Sequence, residues 1–98
     1  MSDDFIKDFQ GFEWDQGSLE KNWFKHAVSP LECEQIFFNQ PLVVAEDFKH
    51  SGKERRMFAL GRTDNDRHLF IAFTLRHKRI RVISARDMSK KEREVYGT

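Results

Sequence analysis

The sequence predicts an α+β domain of order β-α-α-β-β-β-β-α, a mostly antiparallel sheet with helices packed on one face. Three observations carry this. Two helix starts are written as Ser-x-x-Glu capping boxes, at Ser29-Pro30-Leu31-Glu32 and Ser89-Lys90-Lys91-Glu92. Three β-favourable runs, 56–62, 68–75 and 79–86, follow one another with only short turns between them, as in an antiparallel meander. Finally, 10 Phe and 2 Trp in 98 residues supply enough apolar surface for one modest core.

Each element has a local reason. Residues 1–10 read as an N-terminal extension, with Phe5, Ile6 and Phe9 able to line a short helical stripe, and residues 11–98 read as one domain. Gly11 to Asp15 alternates apolar and polar, which suits a short strand. Ser18 is a candidate N-cap for a first helix whose Leu19, Trp23 and Ala27 share one face. The second helix has Ser29 at the cap, Pro30 in the first turn, and an apolar stripe of Cys33, Ile36 and Phe37 that ends before Asn39-Gln40-Pro41. Leu42 to Glu46 is a short strand. In 56–62, Met57 and Ala59 fall on one face and Phe58 and Leu60 on the other, so both faces are expected to be partly covered. Thr63 to Asp66 and Arg76 to Lys78 are turns. Simple alternation in the last strand places Arg79 and Arg81 on one side and Ile80, Val82, Ser84 and Arg86 on the other, the core side.

Charge is segregated along the chain. Residues 1–48 carry three lysines and no arginine against ten acidic residues, a net −7, whereas residues 49–98 carry fourteen basic against six acidic residues, a net +8. Such asymmetry points to a polyanionic or acidic partner. The alternative is that the two halves neutralise each other in the fold. No run approaches a membrane span, no signal-peptide order opens the chain, and the single Cys33 has no disulfide partner, so a cytoplasmic location is expected. No zinc spacing, phosphate-cradling glycine loop or nucleophile elbow occurs, and no cofactor or metal is expected. Cys33, Trp14, Trp23 and the phenylalanines read as core.

The candidate site residues are cationic. Arg62, Arg76 and Arg86 stand at strand ends, where neighbouring antiparallel strands can gather them; a guanidinium forks two hydrogen bonds onto a phosphate and stays charged. Arg86 on the core side needs an anionic partner, either a ligand or a carboxylate such as Glu13 or Glu34. Arg79 and Arg81 are read as phosphate-binding or as a plain solvated face. His26, beside Lys25, is the best acid–base candidate; its alternative role is to cap the first helix's C-terminus. His50, His68 and His77 read as loop or strand-edge residues.

Phe12-Glu13-Trp14-Asp15, Asn22, Lys25-His26-x-Val28-Ser29, His50-Ser51-Gly52-x-Glu54-Arg55, Leu60-Gly61-Arg62 and Arg79 to Arg86 with Glu92-Arg93 and Tyr96 recur in order and spacing in one family. Over about residues 11–97 the chain resembles the BrnT family of type II toxins. The resemblance implies a RelE-like fold and a ribonuclease that cleaves RNA and inhibits translation. It implies a BrnA-like ribbon-helix-helix antitoxin as partner, through which the complex reaches operator DNA and represses its operon. It also raises Lys25, His26, Arg62 and Arg86 as site residues, with Arg76, Arg81 and Arg79 behind them as phosphate-binding residues. A non-catalytic basic module acting with an antitoxin in a repressor complex is the competing reading, and a toxin that has lost its activity is a third. Three departures stand out: Ser18 where the family often has Lys, Ala27 where Gly is common, and the additional residues before Gly11.

Overall fold

A computed structural model of the chain describes residues 9–97. The elements are β1 (Phe12–Glu13), α1 (Gln16–His26), α2 (Pro30–Ile36), β2 (Val43–Glu46), β3 (Arg56–Arg62), β4 (His68–Arg76), β5 (Arg79–Asp87) and α3 (Lys90–Tyr96), in the expected order. Phe5 and Ile6 of the expected N-terminal stripe lie outside the described residues; Phe9 does pack, with its ring 5.5 Å from that of Phe12.

The sheet runs β1-β5-β4-β3-β2. Strands β2 to β5 form the antiparallel meander, and β1 closes the sheet by pairing parallel to β5, Phe12 opposite Ile80 and Glu13 opposite Arg81. The β4–β5 turn is two residues long. His77 and Lys78 both adopt left-handed φ, 54° and 63°, giving the twist that a tight hairpin needs.

Both capping boxes form. Ser29 and Ser89 each accept the N–H of the third helical residue, and Glu32 and Glu92 return a carboxylate to the cap N–H. The start of α1 differs from expectation: Asp15, in extended conformation, is the N-cap and accepts from Ser18 N, so Ser18 lies inside the first turn. The packed face of α1 differs too. Asn22 is the buried residue, whereas Trp23 is 55% and Phe24 81% exposed. Strand β1 stops opposite Arg81, so beyond that point β5 has no strand neighbour on its outer edge, and Asn22 Oδ1 fills the gap by accepting from Ala85 N at 3.1 Å. A side-chain-to-strand hydrogen bond, not an apolar stripe, therefore sets the helix's rotation.

The main core lies between the sheet and α1/α2, and includes Val28, Cys33, Ile36, Met57, Ala59, Ile71, Phe73, Ile80, Val82 and Ala85. Leu60, Met88 and Tyr96, with Val43 and Phe70, form a second cluster on the other face. Helices α1 and α2 thus share one face, as expected, while α3 covers the opposite one. The reason is the doubly apolar β3, whose Phe58 and Leu60 need that cover.

Strand β5 carries a bulge. Phe73 pairs with Val82 and Ala72 with Ser84, leaving Ile83 unopposed. The extra residue reverses the alternation. Ala85 joins Ile80 and Val82 in the core, and Arg86 emerges on the α3 face instead of the core side. Its partner is accordingly neither Glu13 nor Glu34.

Candidate nucleic-acid site

One end of the sheet gathers the leading candidates. There β3 ends at Arg62 opposite His68, and β5 ends at Asp87 opposite Leu69. The C-terminus of α1 reaches the same end. It stops there because Ala27 turns left-handed (φ 53°), with Ala27 N bonded to Trp23 O and Val28 N to Asn22 O. Ala27 takes this conformation at the place where the resemblance leads one to expect glycine.

A residue that the sequence did not single out ties this end together. Arg67 donates to His26 O (3.0 Å) and Ala27 O (2.9 Å), covering the open carbonyls of α1. It also bridges Glu32 of α2 (3.1 Å) and both oxygens of Asp87 (2.7 and 3.2 Å). The Arg67 hydrogen bond, its charge, and lesser contributions from Arg93 and His26 hold the Asp87 carboxyl below its ordinary range against partial burial. Burial alone would raise Glu32; the Ser29 backbone bond and Arg67 together bring it below that range. The Arg67 guanidinium is held above its ordinary value, chiefly by Asp87. Local patterning could not reveal this hub, because Arg67 sits in a loop and its carboxylate partners are 35 and 20 residues away.

Lys25 and His26 are exposed on the last turn of α1, so the His26 imidazole is open to solvent while its main chain is clamped. Arg62 donates to Gln40 O at 2.8 Å and lies 3.7 Å from Asp66. Arg86 is held by a fork–fork pair with Glu92 (2.8 and 2.9 Å), donates to Asp87 O, and covers the Phe70 ring at 4.2 Å. Phe70 in turn stacks on Phe58 at 5.8 Å. Beside this stack runs a groove of about 410 Å³, with Leu60 and Phe70 on its floor and Lys91 and Val95 of α3 on its rim.

The remaining arginines lie elsewhere. Arg76 and Arg79 face each other at the opposite end of β4 and β5, and Arg76 is paired with Glu54 at 2.9 Å. Six residues of strand separate Arg76 from Phe70, roughly 20 Å. Lys25, His26, Arg62 and Arg86 therefore all lie toward one end of the sheet, Lys25 and His26 on the helix of the core face and Arg86 on the α3 face, whereas Arg76, Arg79 and Arg81 lie toward the other end. Cys33 is buried, and burial pushes its thiol up to about 12, so it is an inert core residue. His50 bonds Asp47, and Ser51 ties the same loop to Arg56. Among the described residues no group of three or more His, Cys, Asp or Glu side chains is placed to hold a metal ion, and no helix is long and apolar enough to cross a membrane.

The five-stranded, mostly antiparallel sheet, its flanking helices and the cation-rich strand ends define a small α+β domain. Residues 14–92 match the family described as ribonuclease toxin, BrnT, of type II toxin–antitoxin systems, and the chain belongs to that family. Its fold is similar to that of the Brucella abortus ribonuclease toxin BrnT in a 1.1 Å crystal structure. The TM-score is 0.62 at 20% identity, over 83% of this chain and 99% of that one. No curated protein sequence matches it.

Proposed function

We propose that this chain is a metal-independent endoribonuclease that cleaves RNA, inhibits translation in the cytoplasm, and is neutralised by a BrnA-like ribbon-helix-helix antitoxin. The observation that supports the reading is that Lys25, His26, Arg62 and Arg86 all lie toward one sheet end, where Arg67 clamps the His26 main chain to Asp87, the chain neighbour of Arg86. His26 acts as acid or base. It takes the proton of the attacking 2′-hydroxyl or supplies one to the leaving 5′-oxygen, as the 2′-oxygen bonds phosphorus and the P–O5′ bond breaks. Lys25, Arg62 and Arg86 neutralise the developing charge on the phosphoryl oxygens, with Arg76, Arg79 and Arg81 binding phosphate further along. A complex with the antitoxin reaches operator DNA through the antitoxin.

The test is purified protein with end-labelled RNA in a chelator. Cleavage is expected, with cyclic phosphate termini, and its loss in His26→Ala, Arg62→Ala and Arg86→Ala. If all three variants cleave RNA and arrest growth like the parent, the assignment is wrong. One observation favours a second reading, a non-catalytic binding module: Arg86 is already saturated by Glu92. That reading predicts intact RNA with salt-sensitive binding in the same assay.

A further inference from the structure

Of the nine arginines of this domain, four are closely occupied. Arg55, Arg67, Arg76 and Arg86 each hold a carboxylate within 3.1 Å. Arg56 and Arg81 do not: among the described residues neither guanidinium has an ion pair or hydrogen bond. They lie in one row across four strands. Glu13 of β1 is opposite Arg81 of β5, Arg81 is opposite Thr74 of β4, and Thr74 is opposite Arg56 of β3. Their chain neighbours Phe12, Val82, Phe73 and Met57 point into or against the main core, so the row faces the other way, onto the α3 side of the sheet.

The row is also where buried polar groups go unanswered. Glu13 Oε1, Thr74 Oγ1 and Arg56 Nε are all buried without a hydrogen-bond partner. Thr74 is only 5% exposed. Each such group costs free energy unless something satisfies it. Of these, Thr74 Oγ1 and Arg56 Nε can donate, and Thr74 sits between the Arg81 and Arg56 guanidiniums; together they are the donor set of an anion site, with the Glu13 carboxylate at its far edge beyond Arg81.

We infer that Arg81, Thr74 and Arg56 form a second phosphate subsite, which holds the backbone of a single RNA strand away from the His26 end. The inference rests on the proposed contact with RNA and deepens it. The Thr74 hydroxyl donates to a phosphoryl oxygen, and the two guanidiniums close over it from either side. Rotamer changes of these long side chains uncover the hydroxyl. Glu13 repels phosphate and so biases it toward the Arg56 end of the row. Arg79 and Arg76 lie next along the same face, though Arg76 is engaged by Glu54. Arg81 is five residues from Arg86, roughly 16 Å along β5. The strand must therefore be several nucleotides long to reach both ends.

The experiment measures binding of a short fluorescent single-stranded oligoribonucleotide, 2′-O-methylated so that it cannot be cleaved, to the full chain across a salt series. Arg81→Ala and Arg56→Ala are each expected to weaken binding about tenfold, and to reduce the logarithmic salt slope by about 0.7. Thr74→Val is expected to weaken binding about threefold while the melting temperature holds or rises, because a buried unsatisfied hydroxyl gives way to a methyl. A purely structural Thr74 would leave binding untouched. Parental affinity in Arg81→Ala and Thr74→Val overturns the subsite. So does an oligoglutamate peptide that binds with this dependence where the RNA does not, which assigns the row to an acidic protein segment. Cleavage of unmodified RNA is read in parallel: binding that depends on the row without cleavage keeps the subsite and removes the ribonuclease reading, and cleavage indifferent to the row does the reverse.

Discussion

Arg67 shows how one side chain can tie two helices to the end of a sheet. Its two carboxylates are held below the ordinary carboxyl range. Their folded pKa is depressed, so the stability they contribute is complete above the unfolded value and is lost as pH falls through the depressed one. Arg67→Met is expected to cost about 1–3 kcal/mol near neutrality. It is also expected to flatten the loss of stability between about pH 5 and pH 3, read by denaturant titration at several pH values. An unchanged acid slope would show that the clamp is not what lowers those carboxyls. Ala27 is the complementary case, an alanine held in the left-handed region at φ 53°. That conformation costs about 1–2 kcal/mol for a residue with a Cβ, less the roughly 0.5–1 kcal/mol of extra chain entropy that glycine loses. Ala27→Gly is therefore expected to stabilise the domain by about 0.5–1 kcal/mol, seen as a raised denaturation midpoint at constant slope. That Lys25 and His26 close the first helix was legible from local pattern. The Arg67 clamp was not, because every partner that gives it meaning is distant in sequence.

At the scale of elements, legibility followed locality. The starts of α2 and α3 were readable because a capping box is complete within four residues. Strands β3 to β5 were readable because alternation is a local property, and the two apolar faces of β3 correctly announced cover on both sides. The face of α1 and the phase of β5 beyond Ile83 were not readable. The first depends on Asn22 meeting Ala85, 63 residues away, and the second on one unopposed residue that no composition marks. Gly61 belongs to this scale as well. A Cβ there would stand 2.9 Å from Ile36 Cβ and 3.2 Å from its carbonyl oxygen, so the glycine lets α2 lie directly on β3. Gly61→Ala is expected to destabilise by about 1–3 kcal/mol through forced separation of helix and strand. A melting temperature equal to the parent's would mean that α2 shifts freely.

Across the whole molecule, the charge asymmetry is only partly resolved internally. Glu32–Arg67 and Glu46–Arg55 join the acidic half to the basic half, but Arg76 and Arg86 take carboxylates from their own half. The surplus surfaces on the sheet face that α3 only partly covers, where Arg56, Arg79 and Arg81 lie. The pairing of β1 with β5 has a consequence for how the chain is made. The parallel partner of residues 12–13 is residues 80–81, and α1 packs on that same last strand. A ribosome releases the acidic half first, and nothing in that half can close the sheet. Contacts of such long range also slow folding. A chain ending at Lys78 is expected to lack a cooperative thermal transition, and stepwise-arrested nascent chains are expected to gain protease resistance only once residue 87 has cleared the exit tunnel. Earlier resistance would contradict this. The strand ends that carry Arg62 and Arg86 and the helix end that carries His26 thus come to one edge of the sheet only after residue 87 has emerged, so the shorter nascent polypeptide leaves these cations scattered along an open chain.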